Sequence, residues 1–131
     1  MVCLDTSFAI DILRGNEEAR EILDLLISNR ESISITTISI MELIGGLYSS
    51  PKLKKEKEEI MAFVSSLIVL SFDLESSFLA GELELDLIIN GQIIQPEDIM
   101  IASIAMENNE TLITKNTKHF EKISGLKIKS Y

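Results

Sequence analysis

Three acids and an amide in this chain have the types and placement that could do chemistry together. Asp5 ends the apolar run Val2-Cys3-Leu4. Glu42 lies in Ile38-Ser39-Ile40-Met41-Glu42. Asp98 follows Pro96-Glu97, and Asn116 closes Leu112-Ile113-Thr114-Lys115-Asn116. Each has a plainer reading when taken alone. Asp5 can cap a helix, and Ser39-x-x-Glu42 fits a capping box. Pro-Glu-Asp is an ordinary helix opening whose acids answer the helix dipole. Asn116 suits a turn. Taken together they suggest more. Carboxylates brought within ~4–6 Å repel one another, and a bound cation removes that cost. Hard divalent ions such as Mg2+ or Mn2+ prefer carboxylate oxygens and keep water ligands for hydrolysis.

The elements that must position these groups are readable from apolar periodicity. Val2–Leu4 reads as a buried strand, and a short helix runs from Ser7 to Arg14, stopped by Gly15. Asn16 caps a helix from Glu17 to about Asn29. Ser32–Thr36 is a second strand. A helix begins at Ile38, and another follows Pro51. Leu67–Phe72 is a third strand, and Asp73 caps a long helix to about Asn90. Pro96 opens a helix ending near Glu107. Thr111–Thr114 is a fourth strand, Thr117–Ile123 a short helix and Leu126–Ile128 a last strand. Strands alternating with helices predict one α/β domain, residues 1–131, around a parallel sheet. In such sheets ligands bind beyond the carboxyl ends of the strands. Asp5, Glu42 and Asn116 all follow strands, so they share that edge. Asp98 joins them only if the loop before Pro96 lets its helix start there.

Composition narrows the classes. The chain has 131 residues, enough for a real core, and a net charge of −9. Its mean hydropathy of +0.24 is high, which suggests apolar surface covered by a partner or a second copy. No apolar run is long enough for a membrane span, and no secretory leader pattern is present. The lone cysteine, Cys3, forms no internal disulfide and reads as packing, and a cytoplasmic setting is expected. With a single histidine, His119, a zinc site is not expected. Acidity argues against binding nucleic acid through basic surface alone. Acids gathered around divalent cations can still hold a polyanion. Lysines also cluster at Lys52–Lys57 and Lys115–Lys129. The first run reads as a solvated helix face with i,i+4 pairs.

Four stretches carry a resemblance: Met-Val-Cys-Leu-Asp5-Thr-Ser, Ile-Ser-Ile-Met-Glu42-Leu, Asp98-Ile-Met-Ile-Ala-Ser-Ile-Ala and Leu-Ile-Thr114-Lys-Asn116-Thr-Lys-His119-Phe. In order and spacing they resemble the PIN-domain ribonucleases, above all the small VapC-like toxins of toxin–antitoxin pairs. The resemblance spans essentially the whole chain. It implies a three-layer α/β fold with a five-stranded parallel sheet in the order 3-2-1-4-5, and an acidic cleft that binds Mg2+ or Mn2+. Asp5, Glu42 and Asp98 match the family acids and are the expected metal ligands and catalytic residues. Asn116 stands where many members carry a fourth aspartate and is the fourth expected catalytic residue. Thr6 and Thr114 match hydroxyls expected to hold water or phosphate oxygens. Arg14, Lys115 and Lys118 are expected to hold flanking RNA phosphates. The expected activity is metal-dependent hydrolysis of RNA by an activated water. The expected partners are a cognate antitoxin and a second copy in a homodimer.

Two rival readings use the same residues. A two-component receiver domain also places acids at strand ends, and Asp73 after the third strand would be its phosphoacceptor. That scheme needs a second acid beside Asp5 and leaves Asp98 idle. A PIN-like module that binds without catalysis is the other, kept open by the asparagine at 116.

Overall fold

The computed structural model describes residues 1–131. The elements in chain order are β1 (Val2–Leu4), α1 (Thr6–Leu13), α2 (Glu17–Ser28), β2 (Ile33–Thr36), α3 (Thr37–Gly45) and α4 (Leu53–Ser65). They continue with β3 (Ile68–Leu70), α5 (Leu74–Ile89), α6 (Pro96–Glu107), β4 (Thr111–Ile113), α7 (Thr117–Phe120) and β5 (Ile128–Lys129). The five strands form one sheet in the order β3-β2-β1-β4-β5, and every pairing is parallel. The expected strand order and fold class are therefore observed.

The chain builds the sheet outward from β1 in one direction, then returns to β1 and builds the other way. This reversal leaves a crevice at the carboxyl ends of β1 and β4. Register makes the crevice sharp. Leu4 is level with Ile35 of β2 and with Ile113 of β4. The next residues, Asp5, Thr36 and Thr114, therefore leave the sheet side by side. All three are buried.

Side-chain alternation along β1 divides the core between the two faces. Cys3 joins Leu112 in packing against α5 and α6, through Ala80, Leu83, Ile101 and Ala105. Val2 and Leu4 pack on the other face against Phe8, Ile12, Ala19 and Leu26 of α1 and α2. Ile35 of β2 meets Ala9, Leu43 and Ile60 from α1, α3 and α4. Helix α6 is buried almost throughout its second half, from Ile101 to Ala105, which fixes its position against the sheet and α5.

Three local readings need correction. Ser39 and Glu42 do not form a capping box. Helix α3 begins earlier, and Thr36 is its cap, its hydroxyl accepting from the Ser39 amide at 3.0 Å. Glu42 then falls in the second turn, free of the backbone. Helix α7 ends at Phe120 rather than Ile123, and β3 is shorter at both ends than its apolar run. An edge strand has one paired side only, so the run Leu67–Phe72 outlasts its ladder. Asp73 does cap α5, accepting from the Ser76 amide at 2.9 Å.

Candidate active site

Asp5 sits at the hinge between β1 and α1. It occupies the N-cap position of α1 yet makes no capping bond with its side chain. The carboxylate turns instead to the neighbouring strand end. Its Oδ2 accepts from the Thr114 hydroxyl at 2.6 Å and from the Ser7 hydroxyl at 3.0 Å. Asp5 thus holds the expected N-cap position while its carboxylate serves the neighbouring strand end. Only 3% of Asp5 is exposed. Burial pushes its carboxyl above the usual range, and the two hydroxyls pull the other way.

Glu42 reaches the site from α3. Thr6, the first residue of α1, donates its hydroxyl to Glu42 Oε1 at 2.7 Å and lies 3.0 Å from the Ser39 hydroxyl. Ser39 in turn lies 3.2 Å from Thr36 Oγ1. A line of hydroxyls therefore runs from the end of β2, through buried Ser39, to the acid. Glu42 is also held above its usual range, first by burial, then by the charges of Asp98 and Asp5, against the Thr6 bond.

Asp98 is in the first turn of α6. The reach from the loop before Pro96, which spacing alone left open, is achieved because α6 packs tightly against the sheet. Burial and then the charge of Asp5 raise its carboxyl, and His119 counteracts them. The Nδ1 of His119 stands 3.6 Å from Asp98 Oδ2. Asn116 caps the start of α7. Its amide N–H donates to Thr114 Oγ1 at 2.9 Å, while its side chain makes no hydrogen bond. Thr114 thereby accepts from the loop and donates to Asp5, which locks it in one orientation.

The basic residues divide. Lys115 is bound to Asp11 of α1, with Nζ 3.0 Å from Oδ2 and 3.3 Å from Oδ1. Arg14 lines a cleft of about 500 Å³ that also contains Glu42, Leu43, Leu47 and Ile60. Lys118 is exposed and has no acidic partner within ion-pair distance. Lys55 pairs with Glu59 at 3.9 Å, the only i,i+4 pair formed in the α4 charge run. Cys3 is fully buried and its thiol is pushed up to about 12 by burial, the surroundings of a packing residue.

Two tests bear on a divalent ion. The donors are all oxygen, and the charge of Asp5 presses protons onto Glu42 and Asp98, a state that a hard cation relieves. Against this, no three His, Cys, Asp or Glu side chains are gathered closely enough to share one metal ion. The donor chemistry fits, and the side chains stand apart from a closed coordination shell. Sequence reasoning missed Ser7, Ser39, Thr36 and Asp11. Ser7 follows Asp5-Thr6, and Thr36 caps the helix three residues before Ser39, but the contacts of Ser39 with Thr6 and of Asp11 with Tyr131 join distant stretches that no local pattern encodes.

Comparison with known proteins decides the family. Residues 2–126 match the PIN domain. The chain belongs to the PIN-domain family. It is 32% identical over 129 residues to ribonuclease VapC2 of Rickettsia felis, covering 98% of this chain and 96% of that one. It is 30% identical, with the same coverage, to the tRNA(fMet)-specific endonuclease VapC of Shigella flexneri. Among solved structures, VapBC2 from Rickettsia felis bound to a promoter DNA fragment superposes with a TM-score of 0.91. That match has 31% identity and covers 100% of this chain and 99% of the other. DNA-bound VapBC from Salmonella typhimurium gives a TM-score of 0.89 at 30% identity, covering 99% and 98%. Within the PIN family the chain groups with the VapC ribonucleases. The receiver reading falls with this assignment, and Asp73 is simply a helix cap on the edge of the sheet.

Proposed function

We propose that the chain is the toxin of a VapBC-type pair and that its acid crevice hydrolyses RNA phosphodiesters with Mg2+ or Mn2+. What supports this reading is that Asp5, Glu42 and Asp98, from three separate elements, each have a carboxyl raised by burial, and that the charge of Asp5 further raises the other two. Structural acids are seldom kept in such mutual repulsion without a ligand to relieve it. Asp5, Asp98 and Glu42 would hold the metal. Bound there, it supplies an acidified water and charge stabilisation on phosphate oxygens.

The protein's own groups set the geometry. Thr114 and Ser7 fix one oxygen of Asp5, and Thr6 fixes one oxygen of Glu42. Fixing orientation before RNA arrives removes reorganisation from the reaction. Asn116 contributes a neutral oxygen at the same edge. Arg14 and Lys118 supply positive charge for flanking phosphates. A cytoplasmic setting suits the single buried thiol.

The partner reading has two supports. The cleft beside Glu42 includes Ile10, Leu13, Leu43, Leu47 and Ile60 in its lining and is large enough for a peptide segment, which fits an antitoxin. Helix α5 exposes Leu74, Phe78, Leu85 and Ile89, an apolar stripe suited to a second copy. A dimer at micromolar concentration in size-exclusion chromatography is expected, and a monomer there removes that part.

The deciding experiment is RNA cleavage with Mg2+ or Mn2+, with EDTA, and with Asp5→Asn. Cleavage should require the ion and vanish in the variant, while far-UV circular dichroism stays unchanged. Cleavage that survives in Asp5→Asn refutes the assignment. A chain that cleaves no RNA with either ion, yet binds it, supports the non-catalytic module instead.

A further inference from the structure

One polar cluster at the rim of the crevice is unused by the chemistry above. Asp11, on α1, accepts from the Tyr131 hydroxyl at 2.7 Å and from the Lys115 ammonium at 3.0 Å. Tyr131 lies two residues beyond β5, and its ring meets buried Phe8 edge-on, with centroids 4.6 Å apart. The Asp11 side chain is only 15% exposed, whereas that of Lys115 is 50% exposed. The acid is thus the fixed half of the pair, and the ammonium is the half that meets solvent. Lys115 directly follows Thr114, whose hydroxyl holds Asp5.

Position gives this cluster a use. A flexible lysine beside three carboxylates would be drawn onto them and would neutralise the site. Asp11 holds the ammonium off that site, and the tyrosine hydroxyl holds Asp11. An ammonium has three donors, and Asp11 has only two oxygens to offer it, so one N–H remains for another acceptor. As a stabilising contact a half-exposed ion pair contributes little. We propose that Tyr131, acting through Asp11, is a positioning residue that holds Lys115 at the crevice rim to bind a backbone phosphate of the RNA. This rests on the ribonuclease reading for its substrate class.

Hydroxyl and charge can be separated by substitution. Tyr131→Phe keeps the ring on Phe8 and removes only the hydroxyl. RNA affinity is read by fluorescence anisotropy in the Asp5→Asn background, and kcat and KM in the otherwise unaltered chain. Tyr131→Phe should raise Kd and KM by about three- to tenfold, the size of one weakened charged hydrogen bond, with kcat unchanged. Lys115→Gln should raise Kd at least as much and reduce the slope of log Kd against log salt by about 0.7, the value for one phosphate contact on a single strand. Tyr131→Phe added to Lys115→Gln should cost nothing more, because the hydroxyl acts through the lysine. Lys115→Arg should retain most of the affinity. Asp11→Asn gives a second route to the same loss.

Tyr131→Phe and Asp11→Asn both binding RNA as the parent does would overturn the proposal. So would equal losses from Tyr131→Phe with and without Lys115, or the absence of RNA binding in every chain. Persistent cleavage by Asp5→Asn strikes the ribonuclease reading instead, and the binding cycle still reads the lysine.

Discussion

Two buried carboxylates flank the centre of the sheet at opposite ends, and they have different surroundings. Asp5 follows β1 at the carboxyl edge, 3% exposed, and Glu110 precedes β4 at the amino edge, 6% exposed. Burial raises both carboxyls. Here the likeness stops. Asp5 takes two hydroxyl donors, while Glu110 Oε2 is buried with no partner at all. The charge of Asp5 acts on Glu42 and Asp98, and those two acids also repel each other. Glu110 is relieved by the amine of Met1, which outweighs the one like charge acting on it, that of Glu31. A displaced carboxyl therefore does not mark chemistry by itself. Convergence of like charges, with hydroxyl donors orienting Asp5 and Glu42, is the distinguishing sign.

The largest effects should come from cutting that convergence. Asp98→Asn or Glu42→Gln should lower RNA cleavage by about a hundredfold or more, in line with removing a metal-directing or charge-stabilising group. The same changes should raise thermal stability. Both carboxyls are raised in the folded chain, so the fold binds their protons more tightly than the unfolded chain does. Their contribution to stability is therefore most favourable at low pH and declines as pH rises through the folded values. An amide removes that decline. We expect Tm at pH 8 to rise on the order of 3 °C in each variant, with the gap closing towards pH 4. Melting curves at both pH values check the sign. A second readout is metal itself: Mn2+ should raise the Tm of the parent chain and leave that of Asp98→Asn unmoved.

Thr6→Val tests orientation rather than charge, and its effect should be smaller. Valine matches threonine in size but donates nothing to Glu42 Oε1. The bond now lowers the Glu42 carboxyl, so its loss should let that carboxyl rise further. The expected outcome is a loss of about tenfold in kcat at pH 7 and a shift of the acid limb of the pH–rate profile to higher pH. An unchanged acid limb would show that Thr6 does not act through Glu42.

The legible and illegible parts of this site divide by distance along the chain. Apolar runs ending at Asp5 and Thr114 showed the two strand ends, because a buried parallel strand leaves that trace in any sequence. The strand order came only through the family resemblance that the four motifs carry. Asp98 was visible as an acid but not as a neighbour, since its place depends on how α6 packs along α5 and the sheet. Ser39 was misassigned as a cap because the true cap, Thr36, sits three residues earlier on the last position of a strand. His119, notable in the sequence only as the single histidine, is largely exposed and faces Asp98 across 3.6 Å. Tyr131 and Asp11 are 120 residues apart in sequence, and nothing local to either announces the other.

The smallest expected effect sits at the opposite end of the sheet, and it is the sharpest check on the comparison. Glu110→Gln removes a raised, poorly satisfied carboxylate that no other acid of the crevice touches. By the sign worked out for Asp98, it should raise Tm slightly at pH 8 and less so at pH 4. The Met1 amine already offsets part of the cost, so the gain should be below that of Asp98→Asn. Cleavage should be unaltered in kcat and KM, because the sheet separates Glu110 from the crevice. If instead Glu110→Gln slows cleavage as Asp98→Asn does, the two ends are coupled through β1 and β4. The rigid crevice edge would then be a property of the whole sheet rather than of its local hydroxyls. If Asp98→Asn gains no stability while Glu110→Gln does, the acids of the crevice are not repelling one another. A cation there would then have no repulsion to relieve.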